Sequence, residues 1–122
     1  MYLHRAIWDR SGQRFEMAGV IDGECRFTDR LQHFGYHELH IKKDNPLTKK
    51  GEAVRCHEFH RSVSDAVCDG AVSVRGRESY DAMILGKTMF TGFCHIHFYS
   101  KPEMADRFLA ECVGYGKNVL SI

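Results

Sequence analysis

Two short stretches of this 122-residue chain carry side chains able to move protons. The first runs from Thr88 to Phe98 and holds two histidines one residue apart, His95 and His97. On a β-strand, a period of two puts Met89, Thr91, Phe93, His95 and His97 on one face. Phe90, Cys94, Ile96 and Phe98 take the other. The near-continuous apolar character suggests a central strand covered on both sides. A histidine at the end of such a strand, just before a loop and a helix, is well placed to act as a general base. The competing reading is a pair of satisfied histidines holding a loop, and HxH spacing alone does not separate the two. The second stretch is Arg55-Cys56-His57-Glu58-Phe59-His60. Glu58 and His60 share one strand face, while His57 and Phe59 share the other. A carboxylate beside an imidazole can fix its tautomer or raise its basicity.

A metal centre fits these stretches poorly. His57 and His60 face opposite ways on a strand, no helical stripe surrounds them, and no CxxC occurs. A cysteine nucleophile fits no better. Cys94 beside His95 and Cys56 beside His57 point to opposite faces, and no glycine-flanked elbow presents any of the five cysteines. No GxxxxGK(S/T) or GxGxxG phosphate loop is present. The odd cysteine count and wide spacing, at 25, 56, 68, 94 and 112, suit reduced thiols.

The elements that must position these residues are mostly short strands. Residues 1–9 read as a short helix with Leu3, Ala6 and Ile7 on one face, broken by Ser11-Gly12. Strand character follows at 15–21, 24–28, 36–41, 53–60, 71–75 and 88–98. Asp22-Gly23 marks a hairpin, and Asp44-Asn45-Pro46, Lys50-Gly51 and Asp69-Gly70 mark turns. Ser100-Lys101-Pro102-Glu103 reads as a capping box opening a helix to about Val113. Its apolar stripe is Met104, Ala105, Phe108, Leu109 and Cys112, with Gly114 as the stop. The fold class is mixed α/β, a strand-rich sheet with much antiparallel pairing and one amphipathic C-terminal helix packed on it.

Length and charge bound the function. One core of modest size fits this length, burying roughly two-thirds of the unfolded surface. Seventeen basic against sixteen acidic residues give a formal charge of +1, which disfavours nucleic-acid binding driven by bulk charge. No apolar run reaches spanning length, and the start lacks a signal-peptide pattern, so a cytoplasmic protein away from the membrane is expected.

The order of segments carries a resemblance. MYL, AGVIDGECRFTDRLQHFGYHEL, RCHEFHRS and GFCHIHFYSKPEMADRFL closely resemble the C-terminal glutamine amidotransferase part of cobyrinate a,c-diamide synthases. The family stretch RGHEFHYS is matched by Arg55, His57, Glu58, Phe59, His60 and Ser62, and HLHF by His95, His97 and Phe98. Cys56 stands in place of the family glycine and Arg61 in place of its tyrosine. The resemblance implies that residues 1–122 are the C-terminal part of a class I amidotransferase-like domain. The nucleophile-bearing half, ending in Cys-Gly-Gly-Leu before Met-Tyr-Leu, and the domain handling ATP and Mg2+ are then missing. It also implies glutamine as nitrogen donor and a corrin or sirohydrochlorin-type tetrapyrrole as acceptor. His95 takes the place of the catalytic base. Glu58, His60 and His97 are candidates to orient it, and Arg55 and His57 lie on the substrate side.

Three readings follow. The leading one is a fragment or split subunit of such a synthase, inactive alone and completed by its N-terminal part. The others are a non-catalytic assembly or tetrapyrrole-binding module, and a small His-rich metal-binding protein. An exposed sheet edge left by missing strands would invite pairing with a second copy.

Overall fold

A computed structural model describes the backbone of residues 1–119 and the side chains through Lys117. The chain forms two compact units. The first comprises Met1–Gly35 and Glu58–Val67; the second comprises Tyr36–His57 and the chain from Cys68 onward. Among the described residues eight strands precede one α-helix, the mixed, strand-rich arrangement expected from the sequence.

In the first unit, β1 (His4–Trp8) pairs antiparallel with β2 (Arg14–Glu16). It also pairs parallel with the start of β3 (Ile21–Ile41), His4 opposite Ile21 and Ala6 opposite Glu24. The opening is therefore a strand, not the short helix its apolar spacing suggested. Ala6 and Ile7 are both buried because β1 is covered on both faces, which mimics a helical stripe. Ser11-Gly12 belongs to the β1–β2 turn. There the Asp9 carboxylate accepts from the Ser11 and Gln13 amides at 2.8 and 2.9 Å. Asp22-Gly23 makes no hairpin; both residues lie within β3. Gly23 is needed for space, since a Cβ there would collide with Ala66.

In the second unit, the end of β3 pairs antiparallel with β5 (Ala71–Arg75), Leu39 opposite Ser73. β5 forms a hairpin with β6 (Glu78–Ala82), a strand missed from sequence because Glu78-Ser79-Tyr80-Asp81 reads as polar loop. β7 (Ile84–Gly86) and β8 (Met89–Thr91) make a separate two-stranded ribbon. Leu39, Ile41, Cys56, Ala71, Met83 and Leu85 form the core.

The expected strand over 88–98 stops at Thr91. Gly92 packs so close to Met83 that a Cβ would strike its sulfur, and the chain leaves regular pairing there. Only His95 resumes it, in an isolated bridge with His57, before a 3-10 turn at Phe98–Ser100. The alternation persists as far as His97: Phe90, Cys94 and Ile96 pack on the core, and His95 and His97 are exposed. Phe98, expected on the covered face, is exposed where the 3-10 turn begins.

Helix α1 (Glu103–Val119) runs through Gly114 rather than stopping at it. Ser100 does not serve as the expected capping hydroxyl; it donates to the Arg55 carbonyl at 3.3 Å. The stripe is anchored at one end only. Met104 is 1% exposed, but Phe108 and Leu109 are 50% and 61% exposed, so the expected packing holds at Met104 alone. Polar contacts do the rest: Arg107 grips both Glu52 oxygens at 2.8 and 2.9 Å and donates to the Leu47 carbonyl at 3.1 Å. The receiving loop is preset by Asn45, whose Oδ1 accepts from the Leu47 and Thr48 amides.

Candidate functional site

β4 (Ala53–Ser64) supplies most of the residues singled out from sequence. Its alternation buries Val54, Cys56, Glu58 and Ser62, and sends Arg55 and Phe59 outward. Arg55 and His57 belong to the second unit; Glu58 and His60 belong to the first.

Within the second unit, Arg55, Cys56 and His57 form one wall of an open groove of about 630 Å³. His95, Ile96 and His97 form another, with Tyr36 and Ser100 completing it. Four of the sequence-predicted residues, Arg55, His57, His95 and His97, thus meet in one cleft. Backbone pairing holds the walls together: the His57 amide donates to the His95 carbonyl at 2.9 Å, and the His95 amide donates back at 2.8 Å. The His95 ring is fixed by the same oxygen, its Nδ1 lying 3.0 Å from the His57 carbonyl. A carbonyl only accepts, so Nδ1 carries the hydrogen and Nε2 of the neutral ring keeps its lone pair. No described residue hydrogen-bonds that Nε2.

His97 is wired the other way. Its Nδ1 accepts from the Tyr99 amide at 3.2 Å, capping the 3-10 turn, and its ring stacks on Tyr99 with centroids 5.3 Å apart. The neutral ring therefore carries its hydrogen on Nε2. His97 does not orient His95 through this nitrogen. The His57 ring makes an edge contact with Tyr36 at 5.0 Å. The Arg55 guanidinium makes no ion pair with any described residue, which leaves one cation available to the groove.

In the first unit, Glu58 is 2% exposed, and its Oε2 lies 2.9 Å from His60 Nε2. His60 Nδ1 lies 2.9 Å from the Ser62 carbonyl. Both neighbours of the ring are oxygens. The Ser62 carbonyl only accepts, so Nδ1 carries a hydrogen.

Two of the five cysteines are buried. Cys25 is fully buried, and burial pushes its thiol pKa up. Cys56 is 3% exposed and built into the core. Among the described residues no three His, Cys, Asp or Glu side chains gather closely enough to hold a metal ion. No described helix is long and apolar enough to cross a membrane.

Tyr36 and Ser100 were not singled out for chemistry from the sequence. Tyr36 lies inside a resembling segment, but an aromatic on a strand carries no chemical signature. Ser100 looked like a helix cap. The His57 carbonyl leaves no trace in sequence at all.

A strand-rich α/β fold with a histidine lining a groove suits one part of an amidotransferase-type domain. Comparison with known proteins makes this definite: residues 1–103 match the CobB/CobQ-like glutamine amidotransferase domain, and the chain belongs to that family. It is 38% identical over 121 residues to the cobyrinate a,c-diamide synthase of Caldanaerobacter subterraneus subsp. tengcongensis, covering 96% of this chain and 27% of that protein. The cobyrinate a,c-diamide synthase of Listeria innocua is 34% identical over 127 residues, covering 96% and 26%. That of Salmonella typhimurium is 34% identical over 119 residues, covering 90% and 25%. The chain spans about a quarter of the length of these curated relatives.

Proposed function

We propose that this chain supplies the histidine half of a glutaminase site in a cobyrinate-type a,c-diamide synthase, acting as a fragment or split subunit. The synthase takes ammonia from glutamine to amidate carboxylates of a corrin or sirohydrochlorin-type tetrapyrrole. The observation that carries the reading is His95, a residue lining the groove, whose Nδ1–H is spent on the His57 carbonyl while no described residue hydrogen-bonds its Nε2. A cysteine thiol supplied by the complementary N-terminal segment gives its proton to that Nε2. The thiolate then attacks the glutamine carboxamide carbon, and the proton returns to nitrogen as ammonia leaves. Water hydrolyses the resulting thioester to glutamate.

The orienting role falls to the His57 backbone carbonyl. Glu58 and His60 are paired with each other, and His97 Nδ1 serves the 3-10 turn. Arg55 is the groove's cation for a substrate carboxylate, with His57 beside it. The start of α1 does not favour a phosphate: Glu103 and Asp106 in its first turn repel one where a helix N-terminus would otherwise attract it. No step of the proposal runs through ATP or a metal here.

The test is reconstitution. The 122-residue chain alone is expected to release no ammonia from glutamine, and mixing it with the N-terminal segment ending in Cys-Gly-Gly-Leu is expected to restore release. Ammonia release by the purified chain alone would overturn the reading.

A further inference from the structure

We infer that His97 is the groove's substrate-reading donor, its Nε2–H aimed at the carbonyl oxygen of a bound primary carboxamide. The inference rests on the glutaminase reading of the same groove. It begins with the opposite wiring of two histidines separated by one residue. His95 gives its Nδ1–H to the His57 carbonyl, and His97 receives the Tyr99 amide at Nδ1. Both residues line the groove, and between them they carry one ring nitrogen able to accept and one able to donate.

A primary carboxamide carries the complementary pair, an N–H donor and a carbonyl acceptor. A carboxylate carries acceptors only, and would meet the His95 lone pair with a lone pair of its own. The groove thereby favours glutamine over its product glutamate. The His97 lock is structural as well as chemical. Moving the hydrogen to Nδ1 would set it against the Tyr99 N–H and undo the cap of the turn that precedes α1. His97 is thus barred from acting as a second base while the turn is intact.

The experiment is nitrogen-detected NMR on the full 122-residue chain, with His95→Ala and His97→Ala used only to assign the rings. His95 is expected as the Nδ1–H form and His97 as the Nε2–H form. L-Glutamine at millimolar concentration is expected to shift the His97 Nε2–H signal more than L-glutamate does. A His97 ring carrying its hydrogen on Nδ1 would overturn the inference, and so would equal shifts from the two ligands.

In the reconstituted enzyme, His97→Gln, which keeps an N–H near the Nε2 position, is expected to hold kcat/KM close to wild type. His97→Leu is expected to lower it about three- to tenfold, the worth of one uncharged hydrogen bond. Equal activities of the two variants would also overturn it. Absence of glutaminase activity alongside the expected NMR result would remove the glutaminase reading and leave the donor assignment standing.

Discussion

His60 and His95 are held alike at one nitrogen and differently at the other. Each directs Nδ1 at a backbone carbonyl, Ser62 at 2.9 Å and His57 at 3.0 Å. His60 Nε2 then meets the Glu58 carboxylate, within a side chain only 12% exposed. His95 Nε2 has no described hydrogen-bond partner, and His95 lines the groove. An imidazole engaged at both nitrogens has no lone pair left for a substrate proton, and its worth is structural. One engaged at a single nitrogen is aimed and still able to accept.

The largest effect that tests this contrast is catalytic. His95→Ala in the reconstituted enzyme is expected to lower turnover by roughly two to four orders of magnitude, the range for losing a general base. Stability should change by no more than about 0.5 kcal/mol, because the ring is exposed. A large shift in the urea midpoint with turnover retained would reverse the roles. His60→Ala should show the mirror image. Leaving the Glu58 carboxylate buried without its imidazole is expected to cost roughly 3–5 kcal/mol, read from urea unfolding of the chain. An unchanged midpoint would break the contrast.

Carboxylates sharpen it next. Glu52, gripped by Arg107 and assisted by the Lys49 amide and Lys101, has its pKa lowered from 4.5 to about 2. The unfolded chain therefore binds the extra proton between these values. The pair's stabilisation is complete above about pH 4.5 and is lost as pH falls toward 2. After allowance for solvent it amounts to about 2 kcal/mol. Acid titration of thermal stability should show that loss, and Arg107→Ala should abolish it; an unaltered acid limb in the variant would refute the assignment.

The smallest effect concerns His4, engaged at both nitrogens like His60, by the Met1 carbonyl at 3.1 Å and the Ser64 hydroxyl at 2.7 Å. Burial lowers its pKa below 6.5, and no carboxylate hydrogen-bonds it. The unfolded state takes up the proton first, so stability should slip as pH drops below 6.5. His4→Gln should flatten that slope, and a slope that survives the substitution would assign it to another group.

Much of the site was legible because alternation is a local property. Placing His95 and His97 opposite Cys94 and Ile96 required only a period of two, and it survives even where regular pairing fails beyond Thr91. The turn at Asp44-Asn45-Pro46 was legible because Asn45 writes its own hydrogen bonds. The errors lie where tertiary cover decides. Ala6 and Ile7 are buried from two sides, and Phe108 and Leu109 are apolar without being packed. Pattern alone cannot distinguish an apolar residue that is covered from one that is not.

The pairing of His57 with His95 has a consequence for heredity. Orientation through a main-chain oxygen is encoded by no codon: every residue at position 57 brings the same carbonyl. Substitutions there can alter the groove wall and its edge contact with Tyr36, yet they cannot delete the group that steers the base. Nor can acid silence it, since an amide oxygen does not take up a proton near pH 4 as a carboxylate does. What natural variation can damage is the strand register that brings the oxygen within reach, so this function is exposed to insertions and deletions far more than to replacements.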